Sequence, residues 1–326
     1  MTAQPGPGHG GPDQTLSAVM SERRQLINLA YRLLGSLAEA EDAVQETYAR
    51  WYAQSREQQE AIESPGAWLT TVASRVCLDL LGSARARREL YVGEWLPEPL
   101  PAAAEQSGAA AADPAERVTL DESVTMAFLV VLGTMTPAER VAFVLHDVFR
   151  YPFAEVAGIV GRSPAACRQL ASSARRRVRA SRSPATPAAQ HAAAVSNPAI
   201  VRDFKAAWEA QDISALIGLL DPGATAVADG GGLVSAALHP IEGGEQVARY
   251  LAGLVARLPR LTITERTVNG QPGLVAEQDG AVVTVFAFDV AADQITRIWI
   301  IRNPNKLTRW ADQPSGVRGS AGRRRP

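Results

Sequence analysis

Residues 136–179 read TPAERVAFVLHDVFRYPFAEVAGIVGRSPAACRQLASSARRRVR, and they carry the start and stop signals of three consecutive helices. A capping box of Thr136 with Glu139 starts the first helix. The second, shorter helix should end at Gly161, and Pro164 suits the first position of the third. Two short helices joined by a tight glycine-containing turn predict a helix-turn-helix.

The third of these helices separates into an apolar stripe and a polar face. Cys167, Ala171 and Ala174 recur at helical spacing and should point inward. The outward residues are of types that bond base edges and phosphates in the major groove. The predicted DNA-binding residues here are Arg162, Arg168, Gln169, Ser172, Arg175, Arg176 and Arg179. A merely solvated basic helix is the alternative, but seven arginines and no acidic residue between Val156 and Ala185 favour DNA.

The composition fits a soluble protein of several modules. The chain has 326 residues, of which 46% are hydrophobic and 21% charged. Two cysteines cannot build a disulfide framework, no apolar signal segment begins the chain, and no apolar run reaches the roughly 18 to 20 residues of a membrane span. We therefore expect a cytoplasmic protein without a membrane partner. The net charge of −1 averages over the modules and does not exclude nucleic acid.

An acidic and amide patch precedes the basic region by about a hundred residues. Residues 38–54, AEAEDAVQETYARWYAQ, place apolar side chains on one helical face. Asp42, Gln45 and Glu46 then share the opposite face at i, i+3 and i+4. This patch could meet a basic groove on a partner protein, although the spacing alone favours an ordinary solvated face.

The next helix combines aromatic and basic residues. It begins near Ser64, a plausible N-cap, and ends in a basic cluster of Arg85, Arg87 and Arg88. Trp68 and Arg75 could serve single-stranded DNA, where aromatic rings stack on bases and arginines contact phosphates. Taken alone, Trp68 is better explained as a core residue.

The last third of the chain changes from helical to strand-like patterns. From residue 197 it opens with helical spacing and continues with LTITERTVNG, GLVAEQDG, AVVTVFAFDV and QITRIWIIR. This order predicts an α+β module in which one face of the sheet packs on helices and the other face lines a cup. The resulting cup could be an active site with Asp229 or Asp289 as general base, but no strand tyrosine accompanies them. No His or Cys pair has metal-ligand spacing, so neither metal nor cofactor is expected.

Taken together, these segments resemble a known family. The stretches at residues 33–52 and 65–89 resemble the core-binding and minus-ten-recognising region of extracytoplasmic-function sigma factors. Residues 136–179 are similar to the minus-thirty-five-recognising region of the same factors. Four further motifs resemble the sigma-J type, which carries a fused SnoaL-like C-terminal domain. They are WLPEPL at 95–100, DGGG at 229–232, VNGQPG at 268–273 and RNPNKL at 302–307.

The resemblance implies a role for each residue group. Asp42, Gln45 and Glu46 would contact core RNA polymerase. The helix through Trp68 and Arg88 would bind the promoter element that melts, and the helix-turn-helix would recognise the upstream element. The SnoaL-like domain would act in cis in place of a separate anti-sigma factor. The residues implied in this regulation are Trp95, Pro97, Asp229, Gly230, Gly231, Gly232, Asn303, Pro304 and Lys306.

The expected fold class is two all-α sigma domains, the second with a helix-turn-helix, followed by a cone-shaped α+β domain of the SnoaL/NTF2-like type. The expected segments are a disordered tail at 1–15, sigma region 2 at 16–96, a linker at 97–116, sigma region 4 at 117–181, a linker at 182–196, the SnoaL-like domain at 197–310 and a tail at 311–326.

The sequence therefore predicts a sigma factor that directs promoter recognition and transcription initiation and catalyses no reaction. Its expected partners are core RNA polymerase and promoter DNA. Two alternatives remain at this stage. One is a helix-turn-helix regulator with a ligand-sensing domain, and the other is a SnoaL-like isomerase or cyclase fused to a DNA-binding arm.

Overall fold

The computed structural model describes residues 12–89, 91–102, 124–181, 198–257 and 260–311. These ranges fall into two units. The first unit comprises residues 1–91, 95–98 and 114–190, and the second comprises residues 92–94, 99–113 and 191–326, which include the sheet. The two linkers and the tail expected at 311–326 lie largely outside the described residues.

The described residues of the first unit form eight α-helices. They are α1 (Pro12–Leu34), α2 (Leu37–Tyr52), α3 (Arg56–Glu60), α4 (Pro65–Glu89), α5 (Met126–Gly133), α6 (Pro137–Phe143), α7 (Phe153–Val160) and α8 (Pro164–Ser181). A π-helical turn, Val144–Val148, extends α6. The tail expected at residues 1–15 is too long, since α1 already begins at Pro12. Proline suits the first helical position.

The helix-turn-helix forms as its start and stop signals predict. Thr136 caps α6 in a reciprocal capping box with Glu139, and the Thr136 backbone N–H donates to Glu139 Oε2 at 2.9 Å. Gly161 ends α7 in the left-handed conformation with φ 68°, which favours glycine. On the inward face of α8, Cys167, Ala171 and Ala174 are fully buried.

Regions 2 and 4 pack together within the first unit. The interior of α1, α2 and α4 includes Leu26, Tyr31 and Leu69, all fully buried. Helix α4 also packs against α6 and α7. Arg140 of α6 is buried, and its Nη1 donates to the backbone oxygen of Leu33 at 2.7 Å. The two helical regions therefore share one interior.

The second unit is a six-stranded sheet with helices against one face. Its elements are α9 (Pro198–Glu209), α10 (Ile213–Leu219), β1 (Leu220–Asp229), β2 (Ile241–Glu242), α11 (Gly244–Arg257), β3 (Leu261–Val268), β4 (Gln271–Gln278), β5 (Ala281–Ala291), β6 (Gln294–Ile301), a 3-10 turn (Pro304–Lys306) and α12 (Thr308–Ala311). The strand order is β2-β1-β6-β5-β4-β3. Only the β1–β6 pair is parallel. The expected α+β class is confirmed.

The face of the sheet that meets the helices is filled by aromatic side chains. Phe286 and Phe288 of β5 point to this face, and their rings meet Trp208 and Phe204 of α9 edge to face at 5.0 and 5.4 Å. Such pairs contribute roughly 0.5–1.5 kcal/mol beyond the area they bury. The ring nitrogen of Trp208 donates to the Leu251 carbonyl of α11 at 2.8 Å. The helix-facing side of the sheet is therefore a packed core built from α9, α11 and the sheet.

Candidate functional site

The outer face of α8 presents the basic surface that the sequence predicts. Five of its predicted DNA-binding side chains are exposed and fall on neighbouring turns of the helix. They are Arg168, Gln169, Ser172, Arg176 and Arg179. Arg162, in the turn before α8, is exposed as well. Arg175 is half-buried instead, and its Nε lies 2.7 Å from Asp147 Oδ1. The structure thus brings six of the seven residues to the surface and pairs the seventh internally.

Glu139 of α6 contacts α8 on the side next to this basic surface. Ser173 Oγ of α8 donates to Glu139 Oε1 at 2.7 Å, and Arg177 lies 3.7 Å from the other carboxylate oxygen. Burial acts to raise the pKa of this carboxyl. Hydrogen bonds from Ser173 and Thr136, together with the charge of Arg177, outweigh it and lower the pKa. The same carboxylate that caps α6 therefore anchors the predicted recognition helix.

The acidic and amide patch lies on the exposed face of α2. Asp42, Gln45 and Glu46 are all exposed, while Val44 and Thr47 on the other side of the helix are buried. Glu46 pairs with Arg50 one turn later at 2.9 Å, and both side chains are about half exposed. An exposed ion pair of this kind contributes little stability, so the patch is available to a partner.

The predicted single-strand site on α4 is only partly open. Trp68 is half-buried and meets the ring of Trp51 edge to face at 5.2 Å. The core interpretation of Trp68 thus holds for part of its surface. Arg75 is exposed, and its Nη2 donates to the backbone oxygen of Gly158 in α7 at 3.0 Å. The side chains of the remaining basic cluster, Arg85, Arg87 and Arg88, lie outside the described residues.

The linker motif WLPEPL is ordered in an extended conformation. A Cβ at Gly35, which has φ 75°, would lie only 2.8 Å from the ring of Trp95, and Pro97 lies beside it. Glu98, which the sequence did not single out, is 5% exposed. Its carboxylate accepts from the Leu37 backbone N–H at 2.7 Å. The only sequence signal that could have pointed to Glu98 is that it is a single acidic residue among prolines and apolar residues.

The two C-terminal motifs meet inside the second unit. Asp229 is fully buried at the end of β1, and Lys306 Nζ lies 2.6 Å from its Oδ2. The other carboxylate oxygen accepts from the Gly231 N–H at 3.0 Å, and the Asp229 carbonyl accepts from the Asn303 N–H at 2.9 Å. Gly231 has φ 63°, and a Cβ there would collide with the Asn303 side chain. The remaining predicted residues of these motifs are the buried Gly230 and the exposed Gly232 and Pro304.

Each of the two aspartates considered as general bases lies near a cationic side chain. Asp229 is paired with Lys306, and Asp289 lies on β5 opposite Arg297 at 3.9 Å. Burial raises the pKa of Asp289, and Arg297 partly offsets this.

Among the described residues no group of three His, Cys, Asp or Glu side chains could hold a metal ion. Within the same residues, no helix is long and apolar enough to cross a membrane.

Both cysteines are buried side chains of helices. Cys77 lies on the buried side of α4. Burial is the main cause that raises the pKa of its thiol to about 12, and the charge of Glu39 contributes in the same direction. Burial also raises the pKa of Cys167 under α8. Both thiols therefore stay protonated, as expected for small packed side chains.

Comparisons with known proteins identify sequences and a solved structure that are similar to this chain. The family model for sigma-70 region 2 matches residues 18–87, and the model for sigma-70 region 4 matches residues 125–178. The ECF RNA polymerase sigma factor SigJ of Mycobacterium tuberculosis is 40% identical over 296 residues, which cover 88% of this chain and 91% of SigJ. The probable ECF RNA polymerase sigma factor SigI of the same species is 34% identical and covers 90% of this chain and 95% of SigI. The crystal structure of the M. tuberculosis extracytoplasmic function sigma factor SigJ superposes with a TM-score of 0.70 at 36% identity, covering 90% of this chain and 98% of that one.

Proposed function

Because this chain belongs to the extracytoplasmic-function RNA polymerase sigma factors, we propose that its two helical regions bind core polymerase and promoter DNA under the control of its own C-terminal domain. It is a transcription initiation factor rather than an enzyme. Its family membership and its fold class agree with what the sequence predicted. The proposal concerns the residues that perform each step and the way in which the third domain acts.

The proposed polymerase-binding surface is the exposed face of α2. Asp42, Gln45 and Glu46 offer carboxylate and amide groups within about two turns of one helix. A basic or polar groove on the polymerase would complement this surface. Electrostatic complementarity of this kind mainly sets specificity and association rate.

The proposed surface for the upstream promoter element is the outer face of α8. The observation that carries it is the exposed row of Arg168, Gln169, Ser172, Arg176 and Arg179. Arginine bonds guanine edges, glutamine bonds adenine edges, and either can contact phosphates. The hydrogen bond from Ser173 to Glu139 supports this role because it holds the helix in a fixed orientation.

The proposed surface for the melting promoter element lies on α4. The exposed part of Trp68 offers a stacking surface for an unpaired base. Arg75, and the basic cluster of Arg85, Arg87 and Arg88, would follow the phosphate backbone. The exposed position of Arg75 supports this role.

For the third domain we propose regulation in cis, without a separate anti-sigma factor. The hydrogen bonds and the ion pair that join Asp229, Gly231, Asn303 and Lys306 support the idea that the two C-terminal motifs act together. Tethering gives such a domain an effective concentration near the millimolar range, so a weak surface match is sufficient. The residues proposed for this control are Trp95, Pro97, Asp229, Gly230, Gly231, Gly232, Asn303, Pro304 and Lys306. A factor of this kind would work in the cytoplasm beside the polymerase.

In vitro transcription tests the proposal most directly. Purified core polymerase is combined with the full chain or with a variant that lacks residues 197–326, on templates that carry a candidate promoter. We expect the full chain to form a complex with core and to start RNA synthesis at a defined site, and we expect deletion of the third domain to change the yield. A helix-turn-helix regulator would bind DNA without requiring core. If the purified chain never joined core polymerase, the proposal would be wrong.

A further inference from the structure

The linker segment before Pro99 is held closely by the first unit. The Glu98 backbone N–H donates to the Gly35 carbonyl at 2.8 Å, and the Tyr31 hydroxyl donates to the Glu98 carbonyl at 2.6 Å. The ring of Trp95 covers Gly35, at the junction of α1 and α2. Both Tyr31 and Glu98 are buried. These residues place the Glu98 side chain at the beginning of α2.

The Glu98 carboxylate acts as a cap for α2. Its Oε2 accepts from the Leu37 N–H at 2.7 Å and from the Ser36 hydroxyl at 3.2 Å. Leu37 is the first residue of α2, so its N–H has no partner inside the helix. The cap bond from the Glu39 N–H to the Ser36 hydroxyl is long, at 3.4 Å. Glu98 therefore supplies both the shorter hydrogen bond and a negative charge at the positive end of the helix dipole.

The capped helix is the one that carries the proposed polymerase-binding patch. Asp42 lies less than two turns from Leu37, and Glu46 lies one turn further on. Fraying of the first turn would spread the conformations of this face before it meets polymerase. A preorganised face binds more tightly because less ordering is needed on contact.

The residues that follow Glu98 are held by the second unit. The Pro99 carbonyl accepts from the Trp310 ring nitrogen at 2.9 Å. The Leu100 N–H donates to Asn269 Oδ1 at 3.1 Å, and the Asn269 N–H donates to the Leu100 carbonyl at 2.8 Å. Pro101 continues this pairing in a bridge with Val268. In this segment the chain passes from the first unit to the second at the peptide bond between Glu98 and Pro99.

We propose that Glu98 is a positioning residue for the polymerase-binding face of α2, and that the hold of Asn269 on Leu100 controls how firmly Glu98 caps that helix. The inference rests on the proposed function, since it assumes that α2 binds polymerase. Its physical basis is the short distance along the chain between Glu98 and Leu100, which are separated by one residue. Ordering Leu100 also restricts Glu98 two residues away, so less conformational entropy remains to be lost when the carboxylate docks.

The test uses the full-length chain and three variants: Glu98→Gln, Asn269→Ala and the double substitution. Two measurements are made on each, the Kd for core polymerase and the amide hydrogen exchange of the first turn of α2. Exchange in α4 and a urea denaturation curve report global effects. Glu60→Gln and Thr262→Ala are matched controls, since both side chains are exposed and neither contacts the linker.

We expect Glu98→Gln to weaken core binding by about 5-fold and to speed exchange in the first turn of α2 by a similar factor, as for the loss of a charged cap. Exchange in α4 should not change. Asn269→Ala should shift both readouts in the same direction, by about 2-fold or more. The double variant should resemble Glu98→Gln alone, because the two substitutions act on one cap.

Three results would overturn the inference. They are unchanged core binding for Glu98→Gln, unchanged α2 exchange for Asn269→Ala, and fully additive effects in the double variant. If Glu98→Gln fails to fold, Asn269→Ala alone decides the outcome, because it acts from the other unit. Glu46→Lys separates this inference from the proposed function. Weakened binding for Glu46→Lys with normal binding for Glu98→Gln refutes only the inference, whereas no binding by the wild-type chain refutes the proposed function.

Discussion

The ammonium group of Lys306 lies 2.6 Å from Asp229 Oδ2 in the interior of the C-terminal unit. The two residues are 77 positions apart and belong to the two motifs that the family resemblance assigned to regulation. The carboxylate is fully buried and the lysine side chain is 11% exposed. This pair ties the glycine loop after β1 to the 3-10 turn after β6.

Removing the lysine charge should be strongly destabilising. Lys306→Met leaves the Asp229 carboxylate buried without its cation, which typically costs about 3–5 kcal/mol. Urea denaturation measures this loss. Lys205→Met is the matched control, since Lys205 pairs with Glu209 at 2.8 Å near the surface and should cost less than about 1 kcal/mol. Equal losses for the two variants would contradict a structural role of the buried pair.

Gly231 should not tolerate a side chain. Gly231→Ala places a Cβ against the Asn303 side chain at a φ of 63°, so both steric overlap and backbone strain oppose folding. We expect a loss of at least about 1–3 kcal/mol, visible as a lowered Tm. Gly253→Ala provides the contrast, because its position in α11 is open and alanine is the better helix former. That variant should match or exceed the wild-type Tm.

Glu139 should make the stability of the first unit depend on acidity. Its pKa is lowered in the folded protein, so its contribution is complete above the unfolded value of about 4.3 and is lost as the pH falls through the folded value. Glu139→Gln should therefore destabilise the protein at pH 7, by about 1.5–3 kcal/mol for bonds to a charged group. The difference from wild type should shrink below about pH 4. Denaturation curves between pH 3 and 7 check this, with the exposed Glu155→Gln as control; a difference independent of pH would argue against the ionised carboxylate.

Arg176 should contribute to DNA affinity through phosphate charge. Arg176→Ala should weaken promoter binding and reduce the slope of log K against log salt by about 0.9, the value for one lost phosphate contact. Binding measured at several salt concentrations tests this. Arg56→Ala is the control, since Arg56 is a highly exposed arginine that pairs with Glu60 in α3. An unchanged slope for Arg176→Ala would exclude a phosphate contact.

The helical parts of the fold could be predicted because their signals are local. Each signal lies within a few residues of the helix that it begins or ends. The signals are the capping box of Thr136 with Glu139 for α6, Gly161 for α7 and Pro164 for α8. The inward stripe of α8 followed from helical periodicity in the same way. Local signals of this kind do not depend on how distant segments pack.

The first strand of the sheet was missed because its sequence reads as a turn. Strand β1 contains Pro222 and Gly223, which normally interrupt strands. Its register against β6 shifts between Leu220 and Thr225, so these two residues occupy an irregular part of the edge. Strand β6 has a related irregularity. Ile295 packs in the same core as Ile298, because the register against β5 also shifts between Asp289 and Val290.

Functional surfaces were predicted where a whole face repeats, and missed where one residue acts through a distant contact. The exposed row on α8 follows from spacing alone. The cap that Glu98 provides for Leu37 joins residues 61 positions apart, and periodicity carries no information about such a pair. Arg175 illustrates the same limit, since its partner Asp147 belongs to another helix.

The buried hydrogen bond from Arg140 to the Leu33 carbonyl has a consequence for chimeric proteins. A guanidinium group from region 4 satisfies the end of a region 2 helix, so neither region has an interior that is complete by itself. Grafting a foreign region 4 onto this chain would leave that carbonyl unsatisfied unless the incoming helix brings an arginine at the same position. Exchange of region 4 between such factors is therefore constrained by a residue outside the predicted DNA-binding face of α8.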